Sequence, residues 1–154
     1  MAKFYAGIGS RQTPPGICEL MTRIAVQLEA RGYILRSGGA KGADRAFESG
    51  AQYSIVLRPE EATPAAMMLA SNVHPAWHAC NGYARKLHAR NCMIILGREL
   101  TEPAEFVICW QDPTIERGGT RLGMKLAAER QIPVYNLAVD GDYERFLQTH
   151  LSGG

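Results

Sequence analysis

Three short segments of this chain hold residues suited to gripping an anion. Gly7-Ile8-Gly9-Ser10-Arg11, Ser37-Gly38-Gly39-Ala40-Lys41-Gly42-Ala43-Asp44 and Gly118-Gly119-Thr120 combine glycine with hydroxyl and charged side chains. Glycine lets a backbone approach a ligand closely and take positive φ. Free N–H groups at the opening of a helix attract phosphate. Arg11 and Lys41 add positive charge, and Ser10, Ser37 and Thr120 add hydroxyl donors. Together these are the parts of a phosphate cradle; each loop taken alone reads equally well as a tight strand-to-helix turn. The spacing is neither GxGxxG nor GxxxxGK[ST], which excludes the standard dinucleotide fingerprint and the P-loop.

Other groups offer different chemistry. His74, His78, Cys80, His88 and Cys92 are candidate metal ligands, with His74/His78 and His88/Cys92 four residues apart. Zinc sites usually show tighter paired spacings, so no metal site and no cofactor is expected. Arg85, Lys86, His88 and Arg90 form a basic group that suits either a phosphate or a solvated helix face. Trp110 follows an apolar run and can stack on a base or pack beside its own loop. Asp44 can bond a ribose hydroxyl, accept from the glycine-loop amides, or cap the helix that begins there.

The elements that must position these residues alternate along the chain. Short apolar runs at Lys3–Ile8, Tyr33–Arg36, Ser54–Arg58, Glu105–Trp110 and Pro133–Leu137 predict five strands. Helices are predicted over residues 17–31, Ala43–Gly50, 64–70, Trp77–Leu96 with a break near Asn81-Gly82, Thr120–Arg130 and Asp142–His150. Pro14 and Pro15 suit a helix start, Gly32 suits a helix stop, and Gly50 is expected to act as a cap. Strands alternating with helices predict a parallel sheet covered on both faces. With strand order 3-2-1-4-5, the three glycine segments line one crevice at the carboxyl ends of the strands.

The bulk properties fit this frame. The chain has 154 residues, enough for one domain with a proper core, and a hydrophobic share of 46%. No apolar run approaches the roughly 18–20 residues of a membrane span, and the opening MAKFYAGIGS lacks a signal-peptide stretch. A cytoplasmic location is expected. A net charge of +2 is too weak to argue for nucleic acid. The four cysteines contain no CxxC pair, and buried free thiols are expected.

Four motifs carry a resemblance. YAGIGSR, SGGAKGAD, LHARNCMIILG (with Arg90 and Asn91) and GGTRLGMKLAAERQIPVYNL resemble signatures of the SLOG superfamily. That superfamily joins DNA-processing protein A and the LONELY GUY phosphoribohydrolases. The chain most resembles small stand-alone phage and prophage members, over nearly its whole length. The resemblance implies a single α/β, Rossmann-like, doubly wound domain across residues 1–154. Taken with the residue-level reading above, it gives a candidate ligand site of Gly9, Ser10, Arg11, Ser37, Gly38, Gly39, Lys41, Gly42, Asp44, Arg90, Asn91, Trp110, Gly118, Gly119 and Thr120.

One departure matters. The phosphoribohydrolases carry a catalytic glutamate three residues after the threonine of PGGxGTxxE, and here that position is Gly123. No catalytic residue is therefore assigned. The expected role is to bind a nucleotide or ADP-ribose-like ligand, as a sensor or a sequestering protein, with a homo-oligomer as an open partner. A nucleotide N-glycosidase using Asp44 or Glu116 and a single-stranded DNA-binding module are the alternatives.

Overall fold

The computed structural model describes residues 2–152. Its strands are β1 (Lys3–Gly7), β2 (Tyr33–Ser37), β3 (Ser54–Val56), β4 (Val107–Cys109) and β5 (Val134–Asn136). The helices are α1 (Pro15–Ala30), α2 (Ala43–Gly50), α3 (Pro64–Val73), α4 (Gly82–Leu96), α5 (Gly119–Glu129) and α6 (Asp142–Phe146). All five strands are parallel, in the order β3-β2-β1-β4-β5. The chain thus forms the expected doubly wound, Rossmann-like α/β sheet, with the order reversing between β1 and β4.

Alternation along the strands divides the core in two. Tyr5, Leu35, Phe106 and Ile108 face one cluster, which Met21, Ile24, Ala25 and Leu28 of α1 and Phe47 of α2 complete. Ala6, Val107 and Cys109 face the other, with Ala66 and Ala70 of α3, Met93 and Ile95 of α4 and Leu126 of α5. The apolar stripe of α1 falls at the i, i+3, i+4, i+7 spacing of an amphipathic helix. The second half of α4 is buried from His88 to Leu96 apart from Asn91, which is half-buried.

Local chemistry explains the element ends. Pro15 begins α1, where its missing N–H costs nothing. Thr63 accepts from Ala66 N–H at 3.1 Å to open α3, and Asn81 accepts from Ala84 N–H at 2.8 Å to open α4. The break expected near Asn81-Gly82 is this cap, preceded by a single 3₁₀ turn at Trp77–Ala79. The ladder of β4 is shorter than the apolar run. Backbone bonds from Glu105 N–H to Phe4 O and from Ser10 N–H to Trp110 O nonetheless continue its alignment with β1 at both ends.

Three expectations change. Helix α3 extends to Val73 because Ala66, Ala70 and Val73 are buried on one face. The last helix is α only to Phe146, and Leu147–Leu151 forms a wider π turn. Gly50 ends α2 as a close-approach residue and not as a positive-φ cap: a Cβ there would lie 2.1 Å from Thr22 O of α1. Cys92 and Cys109 are buried free thiols, each pushed up to about 12 by burial, whereas Cys18 and Cys80 are half-buried.

Candidate functional site

The carboxyl ends of β1, β2 and β4 open into a crevice of about 530 Å³. Its walls include Gly9, Ser10, Arg11, Asp44, Arg90, Asn91, Gly118, Gly119 and Thr120 from the expected set. They also include Gln12, Leu87, His88, Gln111, Ile115 and Arg117. Of these, His88 carried a sequence signal as a neighbour of Arg90. Arg117 stands directly before the last glycine pair, and its charge is the clue that could have found it.

The glycine segments after β2 and before α5 are wired differently. In the loop after β2, Gly39 N–H donates to Glu48 Oε2 at 3.0 Å. The Ser37 hydroxyl donates to the same carboxylate oxygen. Ala40 N–H donates to Asp44 Oδ2 at 3.3 Å. Both carboxylates come from α2, so this loop already holds the chain's own anions. Arg90 locks it from the other side, donating from Nη1 to Gly38 O at 2.8 Å and to Leu57 O at 3.0 Å. A Cβ at Gly38 would lie 2.7 Å from Arg90 Nη1 and 2.9 Å from Asp44 Oδ2, so a larger residue there would displace these side chains.

The segment before α5 is open. Gly118, at φ +103°, caps the helix with no side-chain hydrogen bond, and a Cβ there would meet only open space. The first-turn amides of a helix have no intrahelical acceptor. Gly118, Gly119 and Thr120 at this helix opening line the crevice with Arg11 and Arg117, both exposed. In the segment after β1, Gln12 N–H donates to Ser10 Oγ at 2.9 Å, and the Thr13 hydroxyl and amide both bond Ser10 O, which shapes that wall as a turn.

The remaining expected residues lie elsewhere. Ser37 and Gly38 are buried beneath the crevice as supports for the loop. Gly39, at φ +73°, would place a Cβ 3.0 Å from Val56, away from the crevice lining. Gly42, at φ +86°, packs against the segment after β1, where a Cβ would lie 2.7 Å from Ser10 O. Lys41 is exposed and is not in the wall. Trp110 does not line the crevice either: its half-buried side chain packs on the α1-side core. Glu116 lines a neighbouring cavity of about 700 Å³ between α5 and the end of α3. The basic group on α4 is not a continuous patch. Arg85 bonds Trp77 O and covers its ring, Lys86 is exposed, and His88 and Arg90 are buried.

Burial sets the electrostatics. Asp44 is pushed up to about 7, chiefly by desolvation, with the Ala40 amide and Arg90 pulling the other way. Burial lowers the Arg90 pKa, which the Asp44 carboxylate partly restores. Burial and then His74 lower the His88 pKa. Gly123 is buried in α5, where a Cβ would lie 3.1 Å from Ile8 and 3.7 Å from Ile95. A carboxylate at this position would enter the core.

No family model and no curated protein matches the chain. Among solved structures, it is similar to DNA processing protein A from Helicobacter pylori, described for its single-stranded DNA binding mode. The TM-score is 0.59 at 20% identity, over 95% of this chain and 72% of that one. The likeness is one of fold: a sheet and helices in the arrangement of DNA processing protein A, with the crevice at the same kind of strand-order reversal where open α/β sheets bind ligands.

Proposed function

We propose that the crevice binds the phosphate of a nucleotide unit at the opening of α5. The observation that carries this reading is the contrast between the two glycine loops. The β2 loop satisfies its amides with Asp44 and Glu48, while the α5 opening has no side-chain cap and faces Arg11 and Arg117. An anion placed there gains helix-dipole and charge-assisted hydrogen bonds. The role is binding and not glycosidic cleavage. A glycosidase needs a carboxylate beside the oxocarbenium-like sugar. Gly123 supplies none, and Asp44 is occupied by its own loop.

A second form of the same reading is favoured by the fold. The similar protein from Helicobacter pylori is described as binding single-stranded DNA. The crevice here is open and lined by exposed Arg11 and Arg117. A nucleotide within a single strand presents the same phosphate as a free one.

The test is calorimetry with AMP, ADP-ribose and an oligothymidine, followed by chromatography of the AMP sample. Binding without adenine release is expected. Arg11→Ala should remove a charged hydrogen bond, costing about 1.5–3 kcal/mol. Binding of the oligomer alone selects the single-strand form. No binding by any of the three, or equal binding by Arg11→Ala, overturns the site.

A further inference from the structure

We propose that His74, Cys80 and His88 form a binding site for a borderline-soft divalent cation of the Zn²⁺ type. The three come from separate segments: the residue capping α3, the residue ending the Trp77–Ala79 turn, and the middle of α4. Each offers one ligand atom, and these atoms lie within 4.8 Å of one another. Tetrahedral zinc with bonds of about 2.0–2.3 Å holds its ligand atoms roughly 3.5 Å apart. Cys80 Sγ and His74 Nε2 are already 3.6 Å apart.

The independent pointer is His88. The residue is 9% exposed, and its Nδ1 is buried with no hydrogen-bond partner. A buried polar atom without a partner is costly, and an unfilled ion site is one of its ordinary explanations. Its ring stands against that of His74, with centroids 4.5 Å apart. Two imidazoles and a thiolate are a donor set that suits zinc and is poor for magnesium or calcium. Three protein ligands leave a fourth position for water or an anionic donor.

Binding has a definite proton balance. The Cys80 thiol loses its proton to solvent on forming the metal–sulfur bond. His74 Nδ1 accepts from Ala76 N–H at 2.9 Å, so the neutral ring carries its proton on Nε2. Coordination through Nε2 moves that proton to Nδ1, where it opposes the Ala76 amide. The cation must therefore displace this bond and shift the Pro75–Ala76 segment.

The test adds Co²⁺ alone to the reduced full chain and follows absorption. One equivalent should give the near-ultraviolet thiolate-to-cobalt band with tetrahedral d–d bands, and Zn²⁺ should bleach both. Loss of a supporting residue outside the ligand set already costs about 10–100-fold in metal affinity, so Cys80→Ser should lose the band and weaken Zn²⁺ by at least that factor. His88→Gln should weaken it similarly while circular dichroism shows a folded chain. Cys18→Ser should leave both properties unchanged. Absence of the band in the parent, its survival in Cys80→Ser, or its loss in Cys18→Ser overturns the proposal.

Discussion

Arg90 and Asp44 show how much of this site is support and not contact. Arg90 looks in sequence like a phosphate ligand, yet its Nη1 is committed to two backbone carbonyls that hold the β2 loop in place. Asp44 looks like a helix cap, but Gly42 takes that position and the carboxylate instead accepts from the glycine-loop amide of Ala40. Burial raises the Asp44 pKa from 3.8 to about 7. A carboxyl raised in the folded state favours folding when protonated. Its contribution is fully present below pH 3.8 and is lost as pH rises through about 7. Urea unfolding from about pH 5 to about pH 8 should therefore show the parent losing stability relative to Asp44→Asn, whose amide carries no charge to desolvate. Parallel curves would mean that Asp44 is solvated as in the unfolded chain. The same titration places a negative charge in the crevice wall near neutrality, which opposes an incoming phosphate.

The pairing of α1 with α2 sets the position of the β2 loop, because α2 carries both carboxylates that bind it. The two helices touch at Gly50, and the Thr22 hydroxyl donates to Ala46 O at 2.8 Å across the contact. A methyl group at Gly50 would meet Thr22 O at 2.1 Å, a backbone atom that cannot swing away. Gly50→Ala should lower the free energy of unfolding by about 1–3 kcal/mol, overriding the better helix propensity of alanine. Gly16 is the control, since it lies in α1 with nothing within 4 Å of a new Cβ. Gly16→Ala should be neutral or stabilising by up to about 1 kcal/mol. Equal urea midpoints for the two variants would refute the close helix contact.

Across the whole molecule, charge is sparse and local. A net charge of +2 gives only a small overall positive excess, and the exposed cations lining the crevice are Arg11 and Arg117, with exposed Lys41 in the loop after β2. A single strand held by about three phosphate contacts should show log K falling with log salt at a slope of about −2. Affinity should therefore be weak at physiological salt. An anisotropy titration of the oligothymidine at several salt concentrations measures this, and a slope near zero would remove the phosphates from the account of binding.

The alternation of short apolar runs with helical spacing was sufficient, from sequence alone, to give a parallel sheet with glycine loops at its carboxyl ends. These are local signals: strand runs such as Tyr33–Arg36, the apolar stripe of α1, and the capping chemistry of Pro15 and Asn81 act within a few residues. The alternation leaves the strand order open, and the structure has it as β3-β2-β1-β4-β5. Tertiary structure alone decided which glycine loop is free. Gly38 meets Arg90 across 52 residues, Gly39 meets Glu48 on the next helix, and nothing in the composition of either loop marks those partners. It also decided that His74, Cys80 and His88 converge while His78 points outward and Cys92 enters the core. Spacing along one helix cannot anticipate a cluster built from three segments. Hydrogen bonds and ligand sets depend on distances that exist only once the sheet has brought remote segments together.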